Sequence, residues 1–66
     1  MDTLLDALRA RYQSEILMAK ANIEVYLKNP AGIGEHSDIT GAIDEQVAKL
    51  AEADEKLSTL NTFFDE

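Results

Sequence analysis

Glu35, His36 and Asp38 stand within four consecutive positions, just after the glycines Gly32 and Gly34. Imidazole and carboxylate groups ligate metals and move protons near neutral pH. Glycine-flanked backbone N–H groups ahead of a helix can cradle an anion. Glu-His-x-Asp on one loop offers too few ligands for zinc, and the chain has one His and no Cys. Symmetry-related copies of His36 would be needed to complete such a site. No metal and no cofactor is therefore expected, and the plainer role for His36 is a backbone hydrogen bond or packing on Tyr26. Catalysis is not expected either. Ser37 beside His36 is adjacency in sequence without a third triad member. The carboxylates of Asp44, Glu45, Glu52 and Glu55 fall on an exposed helix face with nothing nearby to raise their pKa.

Gly32-Ile33-Gly34 has no preceding strand and no following Gly-Lys-Ser/Thr, so it is neither a Rossmann turn nor a P-loop. It could still hold a small anionic, nucleotide-like ligand, especially between subunits. The candidate ligand-binding residues are Lys28, Gly32, Gly34, Glu35, His36 and Ser37, with Glu35 turned away from any phosphate. The competing reading is turn chemistry. Gly32 and Gly34 then supply positive φ, Pro30 stops a helix, and Ile33 tucks into the bend.

Two helices must position that segment. Leu5, Leu8, Tyr12, Ile16, Ala19, Ile23 and Tyr26 recur at steps of three and four, which predicts one continuous apolar stripe. Asp2 or Thr3 can cap this helix, and Asn29-Pro30 should end it near Lys28. Ile39, Ile43, Val47, Leu50, Ala53, Leu57, Leu60 and Phe64 repeat the pattern, with Ser37 or Asp38 as cap. Glu45–Lys49 and Glu52–Lys56 are spaced for intrahelical ion pairs. Gly41 costs about 1 kcal/mol against Ala in a helix, so something packs closely there or the first turn is loose. No run alternates as a strand would.

The expected fold is all-α, a single antiparallel two-helix hairpin: helix 1 over about 3–28, a loop over about 29–37 and helix 2 over about 38–64. Ile23 and Tyr26 should lie near Ile39 and Ile43, and Leu5 and Leu8 near Leu57, Leu60 and Phe64.

Composition narrows the function. A chain of 66 residues has a marginal core, and without Cys or a metal the remaining remedy is self-association. Helix 1 has the surface for it. Ala7, Ala10, Ser14, Leu17 and Ala21 lie nearly opposite the core stripe, with Met18 and Val25 at its margin. The three larger apolar residues make this row more than an alanine-filled solvent face. These seven are the candidate oligomer interface, and two hairpins joined through them would make a helical bundle, a homo-oligomer. Phe63 lies off the core stripe, as a frayed terminal residue or a partner contact.

The net charge of −7 lies wholly in the second half. Residues 1–28 carry four acids and four bases, whereas residues 29–66 carry nine acids against Lys49 and Lys56. Direct nucleic-acid binding is not expected, since it needs clustered Lys and Arg. An acidic surface can instead meet a basic protein or mimic nucleic acid. No apolar run reaches the roughly 20 residues of a membrane span. The opening MDTLLDALRAR has acid where a signal peptide has base.

The runs YLKNPAGIGEHSDI (Tyr26–Ile39) and AIDEQVAKLAEADEKLSTL (Ala42–Leu60) resemble short uncharacterised helical proteins of tailed bacteriophages, over roughly residues 12–64. The resemblance implies a small accessory protein in the infected bacterial cytoplasm, or a minor virion component, that modulates a host or phage protein by binding. An antidefence sponge that sequesters a nucleotide immune signal through the Gly/His loop is the first alternative. An acidic nucleic-acid mimic is the second.

Overall fold

The computed structural model describes residues 2–29 and 38–64. The elements among these residues are two α-helices, α1 over Thr3–Lys28 and α2 over Ile39–Phe64, each of 26 residues. Both boundaries fall within a residue of those read from the sequence, because both helices begin at a strong cap. The Asp2 carboxylate accepts a hydrogen bond from the Leu4 N–H at 2.9 Å, and the Asp2 carbonyl accepts from the Asp6 N–H. The first satisfies a donor that would otherwise be orphaned in the first turn, and the second is the first regular bond of the helix. Asn29 closes α1 by donating its N–H to the Val25 carbonyl at 2.8 Å. Asp38, one of the two caps expected from the sequence, caps α2: its carboxylate accepts from the Gly41 N–H at 2.8 Å.

That cap explains Gly41. A Cβ at this position would collide with the Asp38 carboxylate. The close neighbour expected from sequence is therefore the capping side chain itself. The missing methyl group lets the carboxylate lie flat over the first turn.

The helices pack against each other and run in opposite directions. Near the start of α1, the Arg9 guanidinium donates to the Asn61 side-chain oxygen (3.0 Å) and to the Phe64 carbonyl (3.3 Å) in the last turn of α2. Near its end, the Asn22 amide donates to the Gln46 side-chain oxygen (3.1 Å) in the first half of α2. Between them, the Lys56 ammonium lies 5.9 Å from the Tyr12 ring centroid.

The core between the helices is thin. Ala19, Ala53 and Leu60 are its buried apolar residues. Leu5, Leu8, Tyr12, Ile16, Ile23 and Tyr26 of α1 are half-buried, as are Ile39, Ile43, Leu50 and Leu57 of α2. The two most buried residues are alanines, one from each helix. Small side chains allow close backbone approach, and the larger residues then flank the contact.

The α2 stripe differs from the expected one at three places. Val47 is 46% exposed and Phe64 56% exposed, whereas Gln46, next to Val47, is only 8% exposed. At 100° per residue Gln46 lies at the centre of the arc defined by Ile39, Leu50, Ala53, Leu57 and Leu60, and Val47 lies well to one side. Phe64 has the right angle, but it occupies the last turn, where little of α1 remains to cover it.

The resulting shape is a rod of 46 × 15 × 15 Å with a radius of gyration of 14.8 Å. A compact chain of this length has a radius of gyration of about 11 Å. The accessible surface is 5138 Å², where a compact monomer of this mass exposes about 4,200 Å².

Candidate functional site

The face of α1 that points away from α2 carries the densest cluster of apolar residues outside the core. Its placement follows from the helix period. Once Leu5, Leu8, Tyr12, Ile16, Ala19, Ile23 and Tyr26 face α2, residues about half a turn away must face out. Ala7, Ala10, Ser14, Leu17, Met18, Ala21 and Val25 are all exposed, so the structure brings the whole expected interface set onto one side of the chain. The larger members are well exposed: Leu17 by 65%, Met18 by 57% and Val25 by 53%. Leu4 adds a further apolar side chain, 77% exposed, to the Met18 margin.

Met18 also borders a groove of about 420 Å³ between the helices. Glu15, Asn22, Gln46, Lys49 and Lys56 line it as well. The groove mixes opposite charges, and one of its walls is an ion pair. Lys56 Nζ lies 2.9 Å from Glu52 Oε1. The hydrogen bond from Lys56, and secondarily its charge, holds the Glu52 carboxyl below its ordinary value. The same contact raises Lys56. Both groups are solvent-exposed, so the pair adds little to stability. Glu45 and Lys49 form no such pair, and Lys49 turns to the groove instead. The remaining ion pairs among the described residues are Arg9–Asp6 (3.2 Å) and Arg11–Glu15 (3.6 Å).

The outer face of α2 has the opposite character. Asp44, Glu45, Glu52 and Glu55 are exposed along it, together with the small residues Ala48 and Ala51. No cluster of three His, Asp or Glu residues with metal-binding proximity occurs among the described residues. No helix among them is long and apolar enough to cross a membrane.

Of the candidate ligand-binding set, Lys28 is exposed in the last turn of α1. Gly32, Gly34, Glu35, His36 and Ser37 lie outside the described residues.

Two polar contacts were not anticipated from sequence. Arg9 on α1 joins both helices through Asn61 and the Phe64 carbonyl. The signal was its position beside the Leu5–Leu8–Tyr12 stripe, where an antiparallel partner must end in unpaired carbonyls. The apolar spacing of α2 selects Val47, whereas the angle of Gln46 on the helix places it inside the core arc. Comparison with protein-family models, with curated proteins and with solved structures finds no match for this chain.

Proposed function

We propose that this protein acts by binding rather than catalysis, as an antiparallel helical hairpin that self-associates through the outer face of α1. The observation that carries this reading is the exposed face centred on Ala10, Ser14, Leu17 and Ala21, on a rod whose surface exceeds that of a compact monomer. The excess is roughly 900 Å². A standard interface removes about 800 Å² from each partner. Pairing two rods through α1 therefore supplies burial that a single hairpin lacks, and gives a four-helix bundle. The acidic outer side of α2 stays free in that assembly. It is the surface offered to a host or phage protein in the accessory role that the phage resemblance implies.

Sedimentation equilibrium or light scattering at micromolar concentration tests the reading. The expected result is a dimer or larger even-numbered species. Leu17→Lys is expected to dissociate it while helical circular dichroism per residue persists at temperatures below the monomer's melting range. A well-folded wild-type monomer at these concentrations would overturn it.

A further inference from the structure

The outward face of α1 has two edges with different chemistry. Asp6, Gln13 and Lys20 follow one edge at intervals of seven residues. Leu4, Arg11, Met18 and Val25 follow the other edge at the same interval. Seven residues are nearly two turns, so each set forms a row along the helix. The first row has an acid towards one end and a base towards the other. Lys20 enters no ion pair among the described residues.

Resting on the self-association proposed above, we infer that the occupant of this face is a second copy of the chain with its α1 antiparallel. The register sets Asp6 beside Lys20 of the second copy, and Lys20 beside Asp6 of the second copy. In an antiparallel two-fold pair, each edge row faces its own reversed copy. A row that is acidic at one end and basic at the other is then self-complementary, with Gln13 near the axis. The same register brings Leu4, 77% exposed, against Met18 of the second copy, 57% exposed. In the seam, Ala7 faces Leu17 of the second copy and Ala10 faces its Ser14, so every layer pairs at least one small residue. A parallel, in-register pair would instead set Leu17 on Leu17 between a layer of Ser14 and a layer of Ala21 and force the helices apart there. Antiparallel helix dipoles also attract. The two Arg11 side chains approach across the axis on the other edge. Each of them is already paired with Glu15 of its own chain at 3.6 Å.

Charge swapping tests the register. Asp6→Lys and Lys20→Asp are made separately and mixed, and dissociation constants are measured by sedimentation at low ionic strength. Circular dichroism verifies that each variant is helical; because Asp6 also lies 3.2 Å from Arg9 of its own chain, recovery in the mixture is what assigns the weakening to the register. Each single reversal should weaken self-association at least threefold, because exposed pairs are individually weak but each occurs twice. An equimolar mixture should recover to within about twofold of wild type, since the two variants complement each other in the mixed dimer. The chain has no Cys, so a spin label on Glu24→Cys reports direction directly. Two labels should lie roughly 35 Å apart in the antiparallel register, from 1.5 Å of rise per residue. Weakening by Asp6→Lys alone, with labels within about 15 Å, means parallel pairing and overturns the inference. Indifference to both reversals also overturns it, while leaving self-association intact. A monomeric wild type refutes self-association itself.

Discussion

Asn22 donates its side-chain amide to the Gln46 oxygen at 3.1 Å, tying the last third of α1 to the first third of α2. This bond satisfies a glutamine that is only 8% exposed in the middle of an otherwise apolar arc. Among the described residues, no buried side-chain nitrogen or oxygen is left unpaired.

Truncating and replacing that glutamine should therefore differ in sign. Gln46→Ala leaves a gap between the helices and removes the hydrogen bond, at a cost of about 1–2 kcal/mol. Gln46→Leu fills the gap with apolar volume. Asn22 is exposed and can turn to water, so this change should be neutral or stabilising by up to about 1 kcal/mol. Urea unfolding at one fixed protein concentration measures both. A leucine variant less stable than the alanine variant would show that the site is specified by its polarity.

Arg9 closes the opposite end of the helix pair. It bridges Asp6, Asn61 and the Phe64 carbonyl, three groups on two helices. Arg9→Ala should cost about 1–2 kcal/mol, since hydrogen bonds with a charged partner are worth more than neutral ones. Arg9→Lys should recover less than half, because an ammonium lacks the planar fork that reaches Asn61 and Phe64 together. Amide exchange should accelerate mainly in the last turn of α2. A uniform acceleration along both helices would contradict a local clamp.

The cap of α2 couples two residues that are usually considered separately. In wild type, Gly41→Ala gains helix propensity of about 1 kcal/mol but displaces the Asp38 carboxylate, whose cap is worth about as much. The net change should lie near zero. With Asp38→Ala already present, Gly41→Ala should stabilise by about 1 kcal/mol. The double-mutant cycle reads the coupling directly. Additive effects would mean that the carboxylate moves aside without cost.

The Glu52–Lys56 pair sets a small pH dependence with a definite sign. Lys56 lowers the Glu52 carboxyl from its ordinary 4.5. A depressed carboxyl contributes stability above pH 4.5 and loses it as pH falls through the lower folded value. Glu52 raises Lys56 from its ordinary 10.5. That contribution is present below pH 10.5 and is lost as pH rises through the higher folded value. Glu52→Gln should flatten the part of the acid limb that lies below pH 4.5. Roughly 1 M salt should erase the difference from wild type, since exposed charges are screened. Melting temperature against pH at low and high salt provides the measurement. A difference that survives high salt would point to packing by the Glu52 stem.

The sequence by itself determined the helices. Three- and four-residue spacing of apolar side chains fixes which arc of each helix seeks cover, and Asp2, Asn29 and Asp38 mark the ends through local hydrogen bonding that needs no tertiary partner. The exposed set from Ala7 to Val25 was legible for the same reason, because a helix with one face committed has only one opposite face. Tertiary structure decided what depends on the distance and direction of the other helix. The close contact is built on Ala19 and Ala53 rather than on the largest side chains. Gln46 lies inside that contact and Val47 outside it, since a difference of 100° separates neighbours more decisively than their hydropathies do. Arg9 acquires its role only when an antiparallel partner ends beside it. Gly41 shows both levels at once: its cost in a helix is visible in the sequence, and its reason appears only with the Asp38 carboxylate lying where a methyl group would be.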